Sequence, residues 1–174
     1  MAAASSQQYP PGPGWPRAAL VAGGLALGAW LLVHRVETGA DEMVTKVGRI
    51  EVTARLLECP EQFPDLGAYR YTYVLKYEVL KVHRQDPEGK HPLAAGDAIF
   101  VGHYRPRLPR NEARDADCKG TPLGGNLDRF VAGDVHRMAL DYELQKLAPS
   151  GALDYCFPQE GNRFFANWVN STSF

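Results

Sequence analysis

The chain has 174 residues, with 19 Lys and Arg against 20 Asp and Glu, for a formal net charge of -1. That balance excludes nucleic acid, or an anionic membrane surface, as a partner recognised through overall charge. Apolar residues make up 45% and charged ones 22%, an ordinary globular composition, and 17 Gly with 13 Pro favour a turn-rich β protein over a helical bundle.

Residues 1–16, rich in Pro, Gly, Ser and Gln, read as a disordered N-terminus. Next comes "AALVAGGLALGAWLLV", Ala18 to Val33, sixteen residues without a charge. As a helix it spans roughly 24 Å at ~1.5 Å per residue, slightly short of a ~30 Å hydrocarbon core. Trp15 and Trp30 lie at the level of the two interfaces, and Arg17, His34 and Arg35 are placed to snorkel. Residues 17–35 are therefore expected to be a transmembrane anchor. His34, Arg35 and Glu37 put charge where a cleaved signal needs a neutral stretch, which favours retention over cleavage near Ala40. The expected topology is single-pass, with the folded domain on the extracytoplasmic, periplasmic side. Residues 36–48 read as a polar linker, and residues 49–174 as the domain.

"RIEVTARLL", Arg49 to Leu57, alternates: Ile50, Val52, Ala54 and Leu56 against Glu51, Thr53 and Arg55. That is a half-buried strand. "CPEQFPDLGAY" breaks it. "YRYTYVLKYEVLKVHR", Tyr69 to Arg84, is the longest strand signal, and its alternation slips at Val79-Leu80, where a bulge or bend is expected. "AIFVGHY" sets Ile99 and Val101 against Phe100 and Gly102. The segment from Arg105 to about Asn126 has no periodicity, and a loop of that length suggests function. "DRFVAGDVHRMALDYEL" reads as a strand pair. In the tail, Phe157, Phe164, Phe165 and Trp168 are expected to cover an open end of the sheet. Ala-Gly-Asp stands before a strand twice, at Ala95–Asp97 and Ala132–Asp134: Gly supplies positive φ and Asp caps the turn. The sum is a mainly β fold, a small antiparallel barrel, OB-like or sandwich-like, after one N-terminal transmembrane helix.

The densest polar feature is "HYRPRLPR". His103, Tyr104, Arg105, Arg107 and Arg110, with Arg114 further on, form a basic strip stiffened by two X-Pro steps. Such a strip can bind acidic glycan, phosphate or an acidic protein surface; its alternative is a solvated loop balanced by Glu112, Asp115 and Asp117. The histidines are scattered and no CxxC is present, so neither a metal site nor a cofactor is expected. There is no GxSxG; a nucleophile such as Cys118 working with His103 or His136 stays open. Outside the cytoplasm, three cysteines allow one disulfide, for which Cys118–Cys156 is the expected pair, leaving Cys59 free. Asn170-Ser171-Thr172 matches a glycosylation sequon that reads as accidental at a frayed terminus.

The series "VTARLLECPEQFP", "YTYVLKYEVLKV", "GDAIFVGHYRPR", "FVAGDVHRMAL" and "FANWV", from about Val52 to Trp168, resembles membrane-tethered β modules of bacterial exopolysaccharide O-acetylation systems. These accompany membrane-bound O-acyltransferases and SGNH-type proteins. The resemblance implies a periplasmic accessory role without acetyl transfer, because the SGNH Ser-His-Asp signatures are missing. Three functions are open: a non-enzymatic module binding an acidic glycan or a membrane or periplasmic protein, a small hydrolase or transferase using His103 or His136, and a structural subunit of a membrane complex. Nucleic acid is not an expected partner.

Overall fold

The computed structural model describes residues 42–113, 122–148, 151–154 and 157–172. The expected anchor at 17–35 lies outside them. Among the described residues, no helix is long and apolar enough to cross a membrane.

The fold is mainly β and centres on a closed five-stranded barrel. Its strands are β1 (Ile50–Glu58), β2 (Thr72–Arg84), β3 (Ala98–Tyr104), β5 (Val135–Tyr142) and β7 (Arg163–Ser171). Two short strands join it, β4 (Gly124–Gly125) and β6 (Ala152–Leu153). β1 pairs with both β2 and β5; β5 pairs with β7, β7 with β3, and β3 with β2, which closes the ring. Every pairing in the ring is antiparallel except β3 with β7, which is parallel. β4 continues along β7 beyond the reach of β3, at Trp168 and Val169.

The inward half of the alternation in β1 holds: Ile50, Val52, Ala54 and Leu56 all have 0% exposure and fill the barrel with Leu75, Tyr77, Val79, Ile99, Val101, Met138 and Leu140. The other face is covered too at Glu51 and Thr53, 4% and 5% exposed, so the strand is open only toward its C-terminal end. Each such aliphatic side chain contributes roughly 1.5–3 kcal/mol by leaving water. The slip read at Val79-Leu80 is a bulge: Ala54 faces Val79 and Thr53 faces Lys81, so Leu80 is the extra residue. Bulges raise local twist, which helps a short barrel close.

The two Ala-Gly-Asp turns are built alike. Gly96 N–H donates to Val79 O and Val79 N–H to Asp97 O; Gly133 N–H donates to Leu56 O and Leu56 N–H to Asp134 O. Both glycines have positive φ, +91° and +95°. The repeat is turn chemistry stitching each new strand to an earlier one.

Four expectations are corrected. "DRFVAGDVHRMALDYEL" gives one strand, β5, because residues 127–134 form turns and coil. The aromatic tail does not cap an open end. It contains β7, a barrel strand with eight buried residues in succession, Arg163 to Asn170. A strand covered on both faces shows no alternation. Asn170 lies inside that strand at 1% exposure, and its Oδ1 accepts the Asn126 N–H, so the sequon is sealed rather than frayed. Residues 42–48 belong to the fold rather than to a linker. Residues 42–46 are helical, Val44 is buried against Ala139 and Trp168, and the Arg84 guanidinium donates to the carbonyls of Thr45, Val47 and Gly48.

The connection from β5 to β7 covers another outer face. Its short helix, Leu144–Leu147, sets Leu144 against Val74, Tyr104 and Phe165. Gly102 makes room for it, since a Cβ there would stand 2.3 Å from Leu144 Cδ1. Gly125 is tighter: its φ is +131° and a Cβ would lie 1.8 Å from the Val169 carbonyl oxygen. Gly125→Ala should therefore cost about 2–3 kcal/mol through strain and lost β4–β7 pairing, measurable as a lower urea midpoint with unchanged slope.

Candidate functional site

β1 ends, β2 begins and β3 ends at one end of the barrel, where the pairs Tyr73–His103 and Ala54–His136 lie. The loops leaving this end are residues 59–71 and 105–113. Between them is a cleft of about 370 Å³, lined by residues 66–71 and 105–108. A second cavity of about 550 Å³ adjoins it, lined by Gln62, Phe63, Pro64, Asp65 and Arg107. Arg107 borders both.

The walls are pre-organised. Phe63 packs edge-on against Tyr73 and Phe130, with ring centroids at 5.2 and 6.1 Å. Tyr71 Oη donates to Pro64 O at 2.6 Å. Asp65 Oδ1 accepts the Gly67 N–H at 3.0 Å and the Arg107 guanidinium at 2.7 Å. Arg107 and Gly67 together hold the Asp65 carboxyl below the usual carboxylate range. Arg105 has a φ of 47°, a left-handed conformation that is strained for a residue preceding proline. Its N–H donates to Tyr71 O at 2.9 Å, and its carbonyl accepts from Leu108 N and from Arg110.

The basic strip is thus not one surface. Arg105 is half-buried and Arg107 exposed, and both line the cleft. Arg110 is 5% exposed and faces inward. It donates to the carbonyls of Tyr104 at 2.8 Å, Arg105 at 2.7 Å and Leu108 at 3.0 Å, and its guanidinium lies 5.3 Å from the Phe130 ring centroid. Burial pulls its pKa down to about 10, leaving it charged at neutral pH. Arg110 is the clamp of the loop that carries the other two. Tyr104, 1% exposed, packs in the cluster under the short helix. His103, 0% exposed, points into the barrel. Arg114, Cys118 and Cys156 lie outside the described residues, so the expected disulfide does too. Tyr69, 57% exposed, and Arg70 are cleft residues that the strip does not contain. Their only sequence signal is an aromatic and a basic residue just before a long strand.

Beneath the clamp lies a polar layer. Tyr77 Oη is 3.1 Å from His103 Nε2 and 3.3 Å from His136 Nδ1, and all three residues have 0% exposure. One hydroxyl donates to one ring nitrogen and accepts an N–H from the other. Because His103 meets the hydroxyl through Nε2 and His136 through Nδ1, the two rings share one tautomer, both Nδ1–H or both Nε2–H. Their outer nitrogens, His103 Nδ1 and His136 Nε2, have no partner among the described residues. Burial lowers the His136 pKa to about 4. Burial, then the charge of Arg110, then His136, drive His103 well below its ordinary value. Burial also holds the Tyr77 phenol protonated. The Phe130 ring closes over this layer, 4.5 Å from the His103 ring and 5.8 Å from that of His136. Cys59, a free thiol, touches the Phe130 carbonyl at 3.7 Å, and burial raises its pKa, which makes it a poor nucleophile.

Among the described residues, no three His, Cys, Asp or Glu side chains come together as a metal site would require. The cleft brings arginines beside tyrosines, on loops fixed to the barrel. No family model, no curated protein and no solved structure matches the chain.

Proposed function

We propose that the chain is a non-enzymatic binding module, an OB-like barrel that holds an anionic ligand in the cleft between residues 66–71 and 105–108. One observation carries this reading: Arg70, Arg105 and Arg107 line one cleft with Tyr69 and Tyr71, and Arg107 already holds a carboxylate there, that of Asp65. Guanidinium forks match carboxylate and phosphate geometry, and tyrosine faces take apolar rings. The OB-like assignment rests on strand order. Numbered by the five long strands alone, the ring runs 1-2-3-5-4 and returns to 1, with the third and fifth parallel. OB-like barrels bind through loops of this kind.

The hydrolase or transferase reading has less support. His103 and His136 are sealed under Phe130 and clamped by Tyr77, and a general base must reach its substrate. The apolar run at 18–33 supports a membrane tether, and a short N-terminal stretch before a folded domain supports the barrel on the extracytoplasmic side. The resemblance from Val52 to Trp168 supports an accessory place in exopolysaccharide modification, beside a membrane or periplasmic partner.

The test is titration of the full-length protein in mild detergent with a carboxylated oligosaccharide, at two salt concentrations. Arg105→Gln with Arg107→Gln should weaken binding at least tenfold and flatten its salt dependence, with thermal stability held within about 2 °C, since neither side chain is buried in the core. Equal affinity in the wild type and the double variant would sink the reading.

A further inference from the structure

Among the described residues that line the two cavities, Asp65 is the one acid, and it already holds an arginine. Its carboxylate and Arg107, 2.7 Å apart, are both largely exposed, at 67% and 49% for the side chains. Arg107 lines both cavities, and Asp65 lines the second. The pair therefore stands at the boundary between two adjoining spaces, about 370 and 550 Å³, and joins the two loops that form them.

We propose that Asp65 is an internal competitor: it occupies the place of a ligand carboxylate on Arg107, and the ligand is a linear carboxylated glycan long enough to enter both cavities. The inference rests on the anion-binding reading above. An incoming carboxylate takes the guanidinium from Asp65 in a charge-neutral exchange, and the two spaces become one groove. The loop keeps its shape through the exchange. Tyr71 Oη still holds Pro64 O, Phe63 stays packed on Tyr73 and Phe130, and Asp65 still accepts the Gly67 N–H. The released carboxylate and Gln62 then face the second cavity as hydrogen-bond acceptors, suited to sugar hydroxyls. Tyr69, 57% exposed, lines the first, and its flat face suits the C–H surface of a sugar ring. An acidic peptide offers the carboxylates without the hydroxyl donors or the flat apolar ring face.

Asp65→Asn separates the possibilities. Its side-chain oxygen still accepts the Gly67 N–H, so the turn survives while the competing charge goes. Full-length protein is titrated by calorimetry with galacturonic acid, tetragalacturonate and polyglutamate of matched charge. The wild type should bind the tetramer at least tenfold tighter than the monomer, because the second subsite is filled from an already bound chain. Asp65→Asn should raise tetramer affinity about two- to fivefold, the range for an exposed ion pair, while Tm is unchanged. Unchanged or weaker binding by Asp65→Asn overturns the competitor role. Equal affinity for monomer and tetramer overturns the two-subsite groove, and tighter binding of polyglutamate overturns the glycan. Loss of all binding differences between the wild type and the Arg105, Arg107 double variant would instead remove the anion-binding reading beneath it.

Discussion

Arg110→Met should cost about 3 kcal/mol and lower Tm by roughly 10–15 °C. Arg110 holds three carbonyls of its own loop, those of Tyr104, Arg105 and Leu108. Hydrogen bonds from a charged donor are worth about 1.5–3 kcal/mol net, and a buried carbonyl left without one loses its solvation as well. The methionine fills much of the volume over Phe130, so the loss reads hydrogen bonding rather than a void. Lysine should recover only part of it, because one ammonium does not span three carbonyls that a planar fork reaches. The change also frees Arg105 from its left-handed conformation, so ligand affinity should fall with stability. Arg107→Gln makes the contrast, with affinity falling while stability stays within about 0.5 kcal/mol. Thermal melts beside titrations of the two variants separate the clamp from the contact.

Between pH 6.5 and 4 the barrel should lose several kcal/mol of stability. His136 titrates at about 4 when folded and at 6.5 when free, and His103 is lowered in the same direction. A base whose folded pKa is depressed takes up its proton first in the unfolded chain. Its contribution is fully present above pH 6.5 and is lost as pH falls toward the folded value. At ~1.4 kcal/mol per pH unit for each group, His136 alone accounts for roughly 3 kcal/mol across that window. A protonated His103 would also stand beside the Arg110 guanidinium, which adds to the loss. Urea midpoints at pH 7 and 4.5 test the magnitude. The imidazole proton resonances test the origin: in the folded state the His136 ring should titrate at about 4 and the His103 ring well below its ordinary value. A pH-independent midpoint across that range would contradict the account of the layer.

The phase of the strands already contained much of this layer. Residues two apart in a strand share a face, so Ile99 and Val101 carry His103 inward with them, as Met138 and Leu140 carry His136. Read as a linear cluster, "HYRPRLPR" hides that alternation, and joins to the cleft residues a histidine and a tyrosine that the strand turns elsewhere. The clamp role of Arg110 has no local signature: it depends on a chain reversal at Arg105 that places three carbonyls around one guanidinium. β7 escaped because both its faces are covered and periodicity carries no information there. Val44 escaped because a single valine in a polar stretch is decided by a tertiary contact with Ala139 and Trp168. The bulge at Leu80 and the paired Ala-Gly-Asp turns were legible, because each follows from backbone chemistry within a few residues.

The central claim is that ligand enters between the loops at one end of the barrel. Hydrogen exchange on the full-length protein, with and without tetragalacturonate, tests it most directly. The account predicts slowed exchange confined to residues 62–71 and 105–108, with the opposite end at residues 85–97 unchanged. Protection centred on residues 85–97, or none anywhere at saturating ligand, would contradict it.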